Sequence, residues 1–128
     1  MLLFPGEDAL YRDMKEWKIL QAPAGLMVVC PGTCGREDRP LACRLFPLLP
    51  VIREDGEVRA VTDLRARAVC PLARQGRSAL DPAFTEAVRE AGSLLAADGD
   101  QAAFLKRLEE EQEELKRLRK ALGGQEHV

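Results

Sequence analysis

The chain has 128 residues, 46% of them hydrophobic and 31% charged, and a formal net charge of −2 from 19 basic and 21 acidic residues. This length suits one domain with a real core, and the near-balanced charge argues against general binding to nucleic acid or to an anionic membrane. No apolar run has the length of a transmembrane helix, and the first residues do not form a signal peptide, so we predict a cytoplasmic protein with reduced thiols.

The first 30 residues contain a helix-compatible segment and a hairpin signal. A Pro-Gly turn at 5–6 is followed by apolar residues at helical spacing, which predicts a helix over about 7–15. Two short apolar runs, at 17–21 and 26–30, flank residues 22–25 and predict a β-hairpin with a four-residue turn. The predicted apolar helix face consists of Ala9, Leu10, Met14 and Trp17.

The middle of the chain predicts a loop and then a second hairpin. Residues 31–47 are rich in proline, glycine and charge and have no periodicity, which indicates a loop. Asp55 and Gly56 form a favoured tight-turn pair between the apolar runs at 51–52 and 58–61. We therefore predict a β-hairpin around this turn.

The C-terminal part predicts two helices. Asp81 before Pro82 is a typical helix start, and we predict that Gly99 ends this helix and that Asp100 caps the next. The second helix, over 100–122, is charged except for a narrow apolar stripe that can pack on the domain or on a second copy. We predict that this helix contacts a protein partner or forms a homodimer. The predicted apolar positions are 84, 88, 91, 94 and 95, then 104, 108, 115, 118 and 122, with a frayed tail after Gly123 and Gly124.

Four cysteines have the spacing Cys30-x3-Cys34-x8-Cys43-x26-Cys70. A tetrahedral zinc site needs four thiolate or imidazole donors. The only histidine, His127, lies in the tail, so the site would consist of cysteines alone. Four thiolates also suit an iron–sulfur cluster: the spacing differs from the usual ferredoxin pattern and favours zinc, whereas the Cys-Pro pairs at 30–31 and 70–71 favour a cluster.

The spacing alone also leaves two other roles open for these cysteines. Cysteine is often buried as a packing residue, and Cys30 with Cys34 could form a redox pair, although thioredoxin-like motifs have two intervening residues rather than three. A reducing compartment disfavours disulfides. With one tail histidine, the chain has no Ser-His-Asp or Cys-His arrangement, so no catalytic residue is predicted.

Two stretches carry a resemblance to a known family. The segment "CPGTCGREDRPLACRLFPL" at 30–48, followed by "CPL" at 70–72, resembles bacterial cysteine-cluster proteins that are described as zinc- or iron-chelating domains. The segment "LFPGE" at 3–7 is also similar to one that precedes this region in some members. The positions that match the family pattern around the third cysteine are Arg39, Pro40, Cys43, Arg44, Phe46 and Pro47.

The resemblance implies a cysteine-bound metal centre and no known reaction. Arg39 and Arg44 would offset the charge of the thiolates and donate hydrogen bonds to them, and Pro40 and Pro47 would fix the backbone on both sides of Cys43. Many family members have further cysteines upstream, which this chain lacks, so the four present are the candidates.

These observations together predict a small, metal-stabilised α+β domain. Short β-hairpins and a cysteine-rich loop occupy residues 1–78, and two C-terminal helices in 79–128 pack on them. Cys30, Cys34, Cys43 and Cys70 are the predicted ligands of Zn²⁺. The two alternatives are an iron–sulfur redox protein that uses the same four cysteines, and an adaptor that binds a partner through the 100–122 helix.

Overall fold

The structure is a computed structural model that describes residues 1–32, 35–68, 71, 75 and 79–122. It divides into two compact units, Met1–Leu45 and Phe46–Val128. The α+β class, with two antiparallel hairpins and C-terminal helices, is confirmed. The helices and strands are α1 (Asp8–Tyr11), β1 (Lys18–Ala22), β2 (Gly25–Val29), α2 (Leu41–Leu45), β3 (Leu48–Ile52), β4 (Val58–Thr62), α3 (Pro82–Ala96) and α4 (Gly99–Ala121).

The first unit is built on the antiparallel hairpin β1–β2, as predicted. Ala22 pairs directly with Gly25, so the turn between them has two residues rather than the four expected. The first residues of the chain lie along β2, where the amide of Leu3 donates to the carbonyl oxygen of Leu26 at 2.9 Å. This pairing satisfies part of the strand edge that a two-stranded sheet leaves open.

The helix predicted over 7–15 is shorter, because α1 ends at Tyr11. Two tight turns replace its second half: the amide of Met14 donates to the carbonyl of Tyr11, and that of Trp17 to the carbonyl of Met14, both at 3.1 Å. The predicted apolar face is therefore wrong at Ala9 and Leu10, which are exposed. The core of this unit consists instead of Leu3, Tyr11, Trp17 and Val28, with Met14, Ile19 and Leu26 packed against it.

Residues 41–45, which we predicted as part of a loop, form the short helix α2. The amides of Cys43 and Arg44 both donate to the carbonyl oxygen of Pro40, at 3.0 and 3.2 Å. Pro40 is fully buried, and a proline in front of a helix is favourable because its missing N–H group needs no partner there. The sequence did not predict this helix, because five residues are too few to show an apolar periodicity.

The second unit is a hairpin covered by two helices. The predicted hairpin is confirmed: β3 pairs with β4 in antiparallel register, and the carboxylate of Asp55 accepts from the amide of Glu57 at 2.9 Å in the turn. Helix α3 packs on both strands, and α4 packs on β3 and α3. The buried hydrophobic residues are Leu48, Leu49, Val51, Val58, Ala60, Ala66, Val88, Phe104, Leu105 and Leu108.

The N-terminal cap of α3 agrees with the prediction and that of α4 differs. The prediction that Gly99 ends the first of these helices is wrong, because α3 ends at Ala96 and Gly99 is the first residue of α4. The carboxylate of Asp81 caps α3 by accepting from the amide of Ala83 at 2.9 Å, as predicted. Helix α4 begins at Gly99, so its cap is Asp98, which accepts from the amide of Gln101 at 3.0 Å, and not Asp100. The predicted boundary was two residues late because Asp98 and Asp100 are equally suitable caps in sequence.

The apolar stripe of α4 is buried only in its first half. Phe104 and Leu108 are buried as predicted, whereas Leu118 is 52% and Leu122 84% exposed. A polar side chain continues the buried face: Gln112 is 6% exposed. Its amide nitrogen donates to Asp63 at 3.0 Å, and its amide oxygen accepts from the backbone N–H of Leu64 at 2.9 Å.

Among the described residues, no helix combines the length and the apolar character that crossing a bilayer requires.

Close contact between α3 and the hairpin depends on Gly92. A Cβ atom at this position would lie 2.5 Å from Cβ of Pro50 and 2.7 Å from Cγ1 of Val58. Both distances are shorter than van der Waals contact, so Gly92→Ala must push the helix away from β3 and β4. We expect the free energy of unfolding to fall by about 1–3 kcal/mol, although alanine favours a helix by roughly 1 kcal/mol.

Urea unfolding followed by circular dichroism measures this change. Gly99→Ala is the matched control, because nothing lies within 4 Å of a Cβ atom at Gly99. A Gly92→Ala variant at least as stable as the original chain would contradict the close packing described.

Candidate functional site

The structure describes two of the four predicted metal ligands. Cys30 follows the last residue of β2 and is exposed, and Cys43 lies in the middle of α2 and is half-buried. No disulfide joins Cys30 to Cys43. Cys34 and Cys70 lie outside the described residues, so the predicted four-cysteine site stays a prediction.

The carboxylate of Glu7 contacts the first residue of α2, the helix that contains Cys43. One oxygen of Glu7 accepts from the backbone N–H of Phe4 at 2.6 Å, and the other accepts from the backbone N–H of Leu41 at 2.9 Å. Leu41 is the first residue of α2, and the first N–H groups of a helix have no partner within it. Glu7 thus joins the "LFPGE" segment to the segment that contains Cys43.

The backbone that leads into α2 is held by side chains at three successive carbonyl groups. Arg44 donates through Nη2 to the carbonyl of Glu37 at 2.9 Å and through Nε to that of Arg39 at 3.2 Å. Between them, the hydroxyl of Tyr11 donates to the carbonyl of Asp38 at 2.7 Å. These three hydrogen bonds tie the backbone of the short 3-10 helix Arg36–Asp38 and of Arg39 to side chains of the same unit.

Arg39 and Arg44 differ in what their side chains do. The guanidinium group of Arg44 contacts backbone carbonyl oxygens of its own loop, whereas Arg39 is exposed and contributes a carbonyl oxygen. The predicted hydrogen bonds from these arginines to cysteine sulfur remain a prediction. Sequence reasoning missed Glu7 and Tyr11; the pairing of segments 3–7 and 39–47 in the resemblance was the signal that could have found Glu7.

The donors described fit a metal in their chemistry but do not form a site by themselves. Zinc binds thiolates, and Cys30 and Cys43 are the two predicted ligands that the structure describes. Within the part of the chain that the structure describes, no group of three or more Cys, His, Asp or Glu side chains could hold a metal ion. A four-thiolate site therefore needs Cys34 and Cys70.

A groove of about 450 Å³ lies beside the start of the cysteine-rich segment. Trp17, which is only 9% exposed, lines this groove together with Pro31, Gly35 and Asp38. The Trp17 ring also packs on Tyr11, with ring centroids 4.8 Å apart. Since Trp17 is the only tryptophan, its fluorescence reports on the packing around this segment.

The second unit has a wider depression of about 960 Å³ between the β3–β4 turn and α4. Its charged lining consists of three cations and four carboxylates, namely Arg53, Arg59, Lys106, Glu54, Asp55, Glu109 and Glu110. Charges of both signs in similar number favour neither an anionic nor a cationic ligand.

Comparison with known proteins adds no relative: no protein-family model, no curated protein and no solved structure matches the chain.

The pKa of Tyr11 is raised above its ordinary value of 10.0, chiefly because burial disfavours the phenolate. The carboxylate of Glu7 raises it further, and the nearby Arg44 guanidinium acts in the opposite direction. The folded protein therefore keeps the phenol protonated to a higher pH than the unfolded chain does. By linkage, the contribution of Tyr11 to stability is fully present below pH 10 and is lost as pH rises above it.

This shift is measurable because Tyr11 is the only tyrosine. We expect the phenolate absorbance of the folded chain to titrate with a midpoint above that of the chain in guanidinium chloride, which should lie near 10. The same titration of Tyr11→Phe measures the absorbance change that comes from groups other than the phenol. A folded midpoint at or below the denatured one would contradict the buried, hydrogen-bonded phenol.

Proposed function

We propose that the chain is a metal-binding protein in which Cys30, Cys34, Cys43 and Cys70 hold one zinc ion. The observation that carries the proposal is the four-cysteine spacing, within a sequence that has one tail histidine. Further support comes from the hydrogen bonds that hold α2, the helix that contains Cys43. The proposal assumes a reducing, cytoplasmic environment, where thiols remain available as ligands.

Bound zinc would supply folding free energy, because ligand binding and ordering of the cysteine-rich segment are coupled. A zinc ion with four protein ligands has no open coordination position, so we propose a structural or interaction role and no reaction. In this role, Arg44 keeps the backbone before Cys43 in place. The resemblance to metal-chelating cysteine-cluster proteins is consistent with this assignment and names no substrate.

The proposal predicts about one zinc per chain. Elemental analysis of protein purified under reducing conditions measures it, and Cys43→Ser should lose most of the metal because serine is not deprotonated as a thiol is. Ala42→Ser is the matched control, since it adds the same hydroxyl to the neighbouring residue of α2 and keeps the thiol. We also expect the emission of Trp17 to shift to longer wavelength when a chelator removes the metal.

Two outcomes would change this assignment. Less than about a tenth of a metal equivalent in reduced protein would exclude metal binding. Brown colour after anaerobic purification, with iron and sulfide in place of zinc, would favour the alternative of an iron–sulfur redox protein, because the same four thiolates suit such a cluster.

A second candidate function, interaction through α4, is favoured by the exposed leucines in its second half, Leu118 and Leu122. We propose a second copy of this chain as the partner. A parallel pair of helices would place Leu115, Leu118 and Leu122 against their counterparts and Glu114 opposite Arg119 of the second copy, as in coiled coils. The stripe is short, so the pair would be weak.

Light scattering at high protein concentration tests this pairing. Leu118→Glu should give the mass of one chain, because it places a charge in the apolar seam. Ala103→Glu is the control, since it adds the same charge at an exposed position of α4 away from the stripe. If the original chain and Leu118→Glu have the same mass at every concentration, the pairing does not occur.

A further inference from the structure

The carboxylate of Glu7 bridges two parts of the first unit that are 34 residues apart. Its two oxygens accept from the backbone N–H groups of Phe4 and Leu41, at 2.6 and 2.9 Å. Glutamate is usually exposed, yet Glu7 is half-buried. Both oxygens of this side chain are therefore used for contacts inside the unit.

The hydrogen bond from the backbone N–H of Leu41 to the Glu7 carboxylate stabilises the start of α2. A helix of five residues is unstable by itself, because forming its first turn orders several residues for one hydrogen bond. Pro40 precedes the helix and has no N–H group, so Leu41 has the first donor of α2. The Glu7 carboxylate satisfies this donor and lies near the positive end of the helix, where a negative charge is favourable.

Cys43 is two residues beyond Leu41, and the segment before it is tied by Tyr11 and Arg44. Of these contacts, only the one from Glu7 holds the first amide of the helix itself. Residues that orient a metal ligand without touching the metal typically contribute 10- to 100-fold to affinity. The Glu7–Leu41 hydrogen bond has the geometry for this role.

We propose that Glu7 is a positioning residue for Cys43, so that metal affinity depends on a carboxylate that binds no metal. This inference rests on the proposed zinc function. It assigns a role to the "LFPGE" segment, which contains no ligand, and explains why this segment and the one around Cys43 belong to one functional unit.

The test compares Glu7→Gln with Glu16→Gln in the full chain. Glutamine has the size of glutamate, but its NH₂ group faces one of the two backbone N–H groups and cannot accept from it. We expect the zinc dissociation constant, measured by competition with a chelator, to rise about 10- to 100-fold in Glu7→Gln. Glu16→Gln removes the same charge from an exposed position of the same unit and should leave the constant unchanged.

A second measurement separates positioning from general stability. In metal-free, reduced protein, we expect Cys43 of Glu7→Gln to react with iodoacetamide about tenfold faster than in the original chain, which is the effect of losing one hydrogen bond. The Trp17 emission of metal-free Glu7→Gln should match that of the metal-free original chain, because the aromatic core does not include Glu7. This readout does not depend on the metal.

The outcomes are distinct. If the original chain holds zinc and Glu7→Gln binds it equally well, the positioning role is wrong and the proposed function stands. If Glu7→Gln has the Trp17 emission of the unfolded chain, Glu7 merely holds the unit together, and the inference is overturned. If the original chain binds no zinc, the proposed function fails and the inference fails with it.

Discussion

A two-stranded sheet cannot bury its own apolar face, and each unit of this protein depends on how that face is covered. Isolated hairpins are marginal in water, so each needs a packing partner. In the second unit α3 and α4 cover the hairpin, and the fit is close enough that Gly92 has no room for a side chain. In the first unit the cover is smaller: a four-residue helix, Trp17 and the first residues of the chain.

The limited apolar cover of the first unit gives its polar contacts more weight. The segment before Cys43 consists of a short 3-10 helix, Arg36–Asp38, and the start of α2. Side chains of Tyr11 and Arg44 donate to the carbonyl groups of residues 37–39. The carboxylate of Glu7 accepts from the first backbone N–H of α2, that of Leu41. These contacts place the segment that contains Cys43. A metal bound by the four cysteines, as we propose, would add metal–sulfur bonds to the hydrogen bonds that already hold this segment.

Features that depend on neighbouring residues were predicted well from the sequence. Both hairpins follow from local turn chemistry, as at Asp55 and Gly56, and Asp81 caps α3 because an acidic residue before proline has this role locally. Features that need distant partners were missed. Gln112 interrupts an apolar face because Asp63 and Leu64 lie opposite it, and no helical periodicity can reveal that pairing.

The sequence by itself determined the α+β class, the two hairpins, the start of α3 and the set of four candidate thiols, because each of these depends on short-range patterns or on composition. The tertiary structure decided the rest: which residues of 7–17 enter the core, the presence of α2, and the side chains that hold it. Glu7 and Leu41 are 34 residues apart, and a hydrogen bond over that separation is decided by the folded path of the chain, not by local preference.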